Sequence, residues 1–310
     1  MLEGFGEIRL IPRNEISEEK WQLLEQNAEY PIFSSIWYLD TVSPEWQAFV
    51  LNDYDLVLPI LVKKKFGFKY AFHPLLIRSF EILGQSNAKK SQFLKMILSQ
   101  FDFYSVNLKD LSDSNLNQVY IENRSFQFLS FKENLAKTIS SFSENTIRKI
   151  KQFKNSNAKI EEISDGNQLS ELFKQEKGSQ FGNFNRDTYL KLDHLVKLSR
   201  KLKIGYLFAA KTENEILALG FFILYNNHLL YVKGVVTEKG KKLGAMQAIF
   251  NFVISKFHDE TKGLDFGGSN EVGLANFNKR FGAIDLNYVV LKNNKTKFPF
   301  RKLINRKIGL

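Results

Sequence analysis

The same order of secondary elements can be read twice along the chain, and this duplication restricts the fold more than any single motif does. In the second half, Ser141-x-x-Glu144 reads as a capping box that opens a basic helix running to about Asn155. A strand over 159–163 follows, then a helical stretch over 165–203 with a break near 178–185. Strands at 206–211, 216–225 and 229–236 turn at Thr212 to Glu215 and at Asn226-Asn227. Leu243, Met246, Ile249, Phe250, Val253, Ile254 and Phe257 recur at threes and fours, the stripe of an amphipathic helix. A short strand at 264–266 runs into Gly267-Gly268, a helix continues to Phe281 with Gly282 in the C-cap role, and 285–292 is a last strand. The first half repeats the order with different letters. It has a strand at 7–11, helices at 15–25 and 34–40, strands at 46–51, 55–62 and 68–72, a helix at 88–101, and strands at 103–106, 119–122 and 126–131.

A length of 310 residues suits two domains, divided here as 1–140 and 141–310, and a 44% hydrophobic content gives each a core. Charge separates them. Residues 1–140 hold 15 Lys and Arg against 17 Asp and Glu, whereas 141–310 hold 29 against 16, so the net +11 belongs to the second half. Its clusters at 148–154, 200–203 and 239–242, and the acid-free tail 292–310, suit phosphate-bearing ligands, nucleic acid or anionic headgroups, or are solvated faces. The absence of Cys excludes disulfides, thiolate metal sites and cysteine nucleophiles. His73, His194, His228 and His258 show no metal-ligand spacing, so no metal is expected. No apolar run approaches the length of a membrane span, and the opening MLEGFGEIRLIPRNE is not expected to act as a secretory signal; a cytoplasmic location follows, with peripheral contact at the inner membrane face as an option.

The element order resembles the GNAT acyltransferase fold. That resemblance implies an α/β (α+β) fold of mixed, mostly antiparallel sheets flanked by helices. It also implies that strands four and five of a sheet splay apart beside backbone amides that favour an anion. The matching segment is TEKGKKLGAMQAIF, 237–250, which makes Gly240, Lys241, Lys242, Gly244 and Ala245 the expected donor-binding residues. Only Gly244 matches the central glycine of the usual acetyl-CoA loop. A second segment, LDFGGSNEVGLANFNKRFGA at 264–283, resembles the FemAB-like transferases, which carry a strand ending in Asp, then Phe or Met, then Gly-Gly, followed by Gly-Leu-x-x-Phe and Phe-Gly. Here these are Asp265 to Gly268, then Gly273, Leu274, Phe277, Phe281 and Gly282. PIFSSIWYLD and LPILVKKKFGFKY in the first half look like opening segments of the same family.

The resemblance implies tandem GNAT-like domains with a groove between them. It implies transfer of an aminoacyl or acyl group from aminoacyl-tRNA or acyl-CoA to an amine of a cell-envelope precursor. The acceptor would be an anionic or nucleotide-linked molecule, no cofactor would be tightly bound, and the tail from about 285 packs on the first domain. Two features depart from the pattern: Asn278 stands where Lys or Tyr is usual, and the long helical hairpin that some members use beside tRNA has no counterpart.

Attack of an amine on an ester or thioester needs a proton acceptor, donors for the oxyanion, and alignment. The candidates for chemistry are Asp265, Lys279 and Tyr231; Lys233, Asn278 and Arg280, with Trp37, Lys64 and Lys65 of the first half, are candidates for holding substrate. Bland alternatives stand beside them: Asp265 capping its Gly-rich turn, Tyr231 and Trp37 as core, and Lys279 on a solvated face. Two other functions remain open, an acyl-CoA N-acyltransferase with a soluble acceptor and a non-catalytic basic module that binds anionic membrane or RNA. The tail interleaves seven cations with Phe298, Phe300, Leu303, Ile304, Ile308 and Leu310, as either an interfacial anchor or a docked helix would.

Overall fold

The computed structural model describes residues 5–85, 87–111, 116, 119–177, 185–268 and 271–310. The break expected near 178–185 lies, apart from Asn185, outside them. The chain begins with β1 (Ile8–Pro12), α1 (Glu18–Gln26), α2 (Ile36–Val42), β2 (Gln47–Leu51), β3 (Leu56–Lys65), β4 (Phe68–Phe72), α3 (Asn87–Ser99), β5 (Phe103–Leu108) and β6 (Tyr120–Ser130). It continues through α4 (Leu135–Ser140), α5 (Glu144–Lys154), β7 (Lys159–Glu162), α6 (Asn167–Lys177), α7 (Arg186–Lys201), β8 (Gly205–Lys211), β9 (Ile216–Tyr225) and β10 (His228–Val236). It ends with α8 (Glu238–Leu243), α9 (Ala245–Phe257), β11 (Gly263–Gly268), α10 (Val272–Lys279), β12 (Ile284–Asn294) and α11 (Phe300–Ile308).

Polar caps start five of the helices. Ser17, Asn134, Ser143, Asn185 and Thr237 each accept a bond from the amide three residues on. The cap of the basic helix α5 is Ser143, whose Oγ takes the Thr146 N–H, and not Ser141; Ser141 Oγ instead donates to the Thr138 carbonyl at the end of the short helix before it.

Two compact units result, Met1–Arg124 with Asn287–Leu310 and Ser125–Leu286. The boundary falls within β6, ahead of the division at 140/141 read from the sequence, and the terminal segment belongs to the first unit. The reason lies in strand pairing. Residues 126–130 of β6, read as closing the first half, pair antiparallel with β11 of the second unit. Residues 289–294 of β12, read as the last strand of the second half, pair antiparallel with β5 of the first. The apolar pattern of a strand does not say which sheet it joins, so the partner of β6 could not be told from local pattern, whereas the segment from about 285 lies in the first unit as the family resemblance implied.

Within the first unit β1 to β4 form antiparallel ladders, and β4 then runs parallel to β5 over Tyr70–Phe103, Ala71–Tyr104 and Phe72–Ser105. Beyond Phe72 the space beside β5 is closed by the chain itself. Phe80 N–H donates to Asn107 O at 2.9 Å and Lys109 N–H to Phe80 O at 2.8 Å, with Phe80 fully buried. His73 is locked beneath this plug: Nε2–H donates to Ile77 O at 2.8 Å, and Nδ1 accepts from Asn107 N–H at 3.3 Å.

Burial lowers the His73 imidazole from 6.5 to about 4. Between those values the unfolded chain binds the extra proton, so stability falls as pH drops through this window, by up to about 3 kcal/mol. Urea unfolding at both ends of the window should show that slope in the wild type and a flatter one in His73→Gln.

The second unit repeats the plan. β7, β8, β9 and β10 pair antiparallel in order, and β10 then runs parallel to β11. Its core lies against α9 and is rich in Phe: Phe208, Phe222, Phe250, Phe257, Phe266 and Phe281 are all buried.

Candidate active site

β10 and β11 are paired only at Leu229–Leu264 and Leu230–Asp265, and then part. Phe250 of α9 acts as a wedge where they separate, its ring 4.9 Å from both Tyr231 on β10 and Phe266 on β11. The register of β10 against β9 shifts between Tyr231 and Lys233, which leaves Val232 as an extra residue. In a regular strand residues 231 and 233 would share a face; the bulge sends them to opposite ones. Tyr231 joins the Phe222 and Phe250 rings, whereas Lys233 Nζ lies 4.2 Å from the ring centre of Phe173 on α6.

The opened gap is a cavity of about 560 Å³. Tyr231 to Val236 form one edge and Phe266 to Gly268 the other. Phe173 and Lys177 of α6 line one face of the sheet, and Met246, Gln247 and Phe250 of α9 the opposite one. Walls on both faces require that the cavity pass between the strands. Glu271, Gly273 and Leu274 at the start of α10 complete it, with Phe277 and Asn278 one turn on. No side chain caps the start of this helix among the described residues.

The cavity holds two perturbed groups. Burial pushes the Lys233 ammonium down to about 8, only partly opposed by Glu271. Burial also raises the Tyr231 phenol well above its usual value, so it stays a donor at neutral pH. Gly234 leaves room for that phenol, because a Cβ there would sit 2.2 Å from its oxygen. Asn278 is buried on the cavity wall and is fixed by a polar chain: its Nδ2 donates to Gln127 Oε1 at 3.0 Å, and Gln127 Nε2 donates to Asp285 Oδ1 at 2.9 Å. Gln127→Leu, which removes the central member of this chain, should cost about 1–3 kcal/mol in chemical unfolding, because the Asn278 amide then loses its buried acceptor.

Of the residues singled out in the sequence, Tyr231, Lys233, Lys241 and Asn278 line this cavity. Asp265 is fully buried and accepts the Gly267 N–H at 2.8 Å, so it shapes the turn at the end of β11. Lys279 pairs with Asp285 at 2.5 Å outside the cavity lining, and Arg280 is exposed at the C-cap of α10. Gly240 and Gly244 serve close chain packing. A Cβ on Gly240 would meet Leu217 O at 2.1 Å, and one on Gly244, which sits at φ +80°, would meet Lys149 O at 2.6 Å. The Gly240 N–H is taken by Thr237 Oγ1, and the Gly244 N–H by the Gly240 and Lys241 carbonyls. Ala245 is buried in the core, and the Lys242 carbonyl accepts from Lys149 Nζ. Lys241 pairs with Glu238. In the first unit, Trp37 packs edge-on against Tyr38 with ring centres 5.4 Å apart, and Lys64 and Lys65 are exposed near the tip of the β3–β4 hairpin. Sequence reading missed Phe173, Lys177, Phe250 and Glu271 as site residues. Gly273 and Leu274 were visible in the Gly-Leu-x-x-Phe pattern, although not as cavity lining.

No protein-family model matches the sequence, and no curated protein matches it. Solved structures do match in fold. FemX aligns over 98% of this chain and 100% of its own, with TM-score 0.66 and 10% identity. L-PGS from Bacillus licheniformis aligns over 95% of this chain and 98% of its own, with TM-score 0.55 and 13% identity. A tandem GNAT protein from the clavulanic acid biosynthesis pathway aligns over 94% and 99%, with TM-score 0.52 and 10% identity. The duplicated strand order, the parting of β10 from β11 and these alignments together give the chain the FemAB-like, tandem GNAT fold.

Proposed function

We propose that the chain is an acyl- or aminoacyltransferase whose donor enters the cavity between β10 and β11 and whose acceptor is an amine. One observation carries this reading: a gap through the second unit's sheet, walled from both faces, that contains a lysine whose ammonium is shifted to about 8. A lysine so placed exists partly as the free amine near neutral pH and can take a proton from the attacking amine. In the proposed reaction the acceptor nitrogen attacks the donor carbonyl carbon and Lys233 Nζ receives the amine proton. The Tyr231 hydroxyl donates to the oxyanion, the C–N bond forms as the ester C–O or thioester C–S bond breaks, and the Lys233 ammonium returns its proton to the departing oxygen or sulfur. Lys177 and Lys241 at the cavity edge supply positive charge for the phosphates of the donor, with Glu238 paired to Lys241. In this reading aminoacyl-tRNA and acyl-CoA are the donors to try first, and the acceptor is an amine on an anionic, nucleotide-linked cell-envelope precursor. Both would be met on the cytoplasmic side.

The test is thermal-shift titration with acyl-CoA, charged tRNA and a uridine-diphosphate-linked muropeptide, followed by transfer assays with whichever donor binds. Stabilisation by a donor, lost when the cavity is filled, supports the proposal. Stabilisation by acyl-CoA alone, with transfer to small soluble amines, would move the assignment to a soluble N-acyltransferase. No binding and no transfer with any donor would sink it.

A further inference from the structure

The surface where α11 meets the β3–β4 hairpin, in the first unit, has no part in the cavity just described. Its composition is unusual for solvated surface. The hairpin turns at Phe66-Gly67, both at positive φ, a conformation seldom taken by an aromatic residue, and Phe66 is 80% exposed there. Lys63, Lys64 and Lys65 precede it. Phe68, at the end of the same turn, packs edge-on against Phe300 at the start of α11, with ring centres 5.3 Å apart. Phe298, two residues before that contact, is 90% exposed, and Leu303 on α11 is 69% exposed.

The charge beside these apolar groups has one sign. A broad concavity of about 1000 Å³ is lined by Lys295, Lys297, Arg301, Lys302 and Arg306 together with Phe298, and no Asp or Glu side chain is among its lining residues. Residues 287–310 contain no acid at all. The acids bonded to these elements are engaged within the unit: Glu45 pairs with Lys63, Asp102 accepts the Lys69 N–H, and Glu122 pairs with the buried Lys292. The α11 segment is fixed in place by Asn294, whose Nδ2 donates to Arg301 O at 3.1 Å and Asn305 Oδ1 at 2.7 Å, and by Lys292 Nζ, which donates to Gly309 O at 3.2 Å.

We propose that this face is a docking surface for an anionic lipid bilayer, with Phe66, Phe298 and Leu303 entering the interface and the surrounding lysines and arginines meeting lipid phosphates. Exposed phenyl and isobutyl groups gain most by leaving water for the boundary of the acyl chains, and each nearby cation adds attraction to an anionic leaflet. Attachment is peripheral, since no helix among the described residues is long and apolar enough to cross a membrane. Leu303 favours lipid over nucleic acid as the occupant, because an aliphatic side chain offers no stacking platform for bases.

The test is co-sedimentation of the full chain with vesicles of phosphatidylcholine alone and of phosphatidylcholine with about a third phosphatidylglycerol, at low and at raised salt. Binding is expected only to the anionic vesicles and to weaken with salt. Phe66→Ser with Phe298→Ser should reduce it at least about tenfold without lowering the melting temperature. If that pair does lower the melting temperature, the single substitution Phe298→Trp provides an independent reading: its emission should shift to the blue on anionic vesicles alone. No sedimentation, equal binding to neutral vesicles, or unaltered binding by the well-folded double variant would overturn the proposal. So would a tRNA gel shift abolished by the same variants in a protein that ignores vesicles, which would make the face a nucleic-acid surface. Donor binding in the second unit should be indifferent to these changes, so failure here is separable from failure of the transferase reading.

Discussion

Lys233→Met is expected to lower transfer by a factor of about 100 to 10,000, the range associated with losing a positioned proton acceptor, while leaving the fold intact. The substitution keeps an unbranched chain of similar length over the Phe173 ring and removes only the amine. Its effect on stability should have the opposite sign to its effect on activity. Lys233 binds its proton less tightly in the folded chain than in the unfolded one, so below about 8 the fold bears the cost of a buried charge, and stability rises with pH between about 8 and 10.5. Methionine removes that cost, and the variant should gain about 1–2 kcal/mol at neutral pH. In the wild type, turnover should climb as pH passes through about 8, where the free amine becomes dominant, and this limb should vanish in the variant. A variant that loses activity and stability together would make Lys233 a structural residue instead.

Gly273→Leu is expected to have the second large effect. Gly273 lies in the first turn of α10 and borders the cavity, and a Cβ built on it meets nothing within 4 Å. A leucine side chain therefore enters open space without displacing backbone. Replacing a helical glycine should stabilise the helix by roughly 0.5–1 kcal/mol. The same side chain occupies volume that the donor would need, and donor affinity should fall at least about tenfold, equivalent to about 1.4 kcal/mol. A higher melting temperature with lost donor binding is difficult to produce by damage to the fold. Retained donor affinity would mean that the donor does not pass the start of α10.

Much of this architecture was legible in the sequence because it rests on local signals. The apolar periodicity of 243–257 and the Asp-Phe-Gly-Gly turn located α9 and the end of β11, and the resemblance of the element order to the GNAT fold implied the parting strands. What escaped was non-local. The pairing of β6 with the second unit could not be read, because a strand's pattern states which of its faces is buried and not which sheet buries it, and the packing of the segment from about 285 on the first unit was expected from the family resemblance alone. The bulge at Val232 left no signature in the letters Tyr-Val-Lys, yet it turns Lys233 from a strand residue beside Tyr231 into a residue facing α6. Gly240 and Gly244 show a different ambiguity. A glycine that admits a phosphate and one that admits a neighbouring carbonyl look alike in sequence, and these two admit Leu217 and Lys149. Asp265 illustrates the same point for a carboxylate, since its bond to the Gly267 N–H is a local turn device.

The first unit provides an internal comparison for the central claim. Both units run four antiparallel strands into one parallel pair, but beside β5 the chain around Phe80 hydrogen-bonds into the place that stands open in the second unit. The same topology thus yields a plug in one unit and a cavity in the other, which directs the search for a donor to the second.

The most direct measurement is a crystal structure of the chain with bound donor, either acyl-CoA or an aminoacylated tRNA acceptor-stem mimic. The account predicts density between Tyr231–Val236 and Phe266–Gly268, with the carbonyl carbon within about 4 Å of the Lys233 nitrogen or reached through one water. Density lodged elsewhere, with the gap between β10 and β11 empty or closed by side chains, would contradict it.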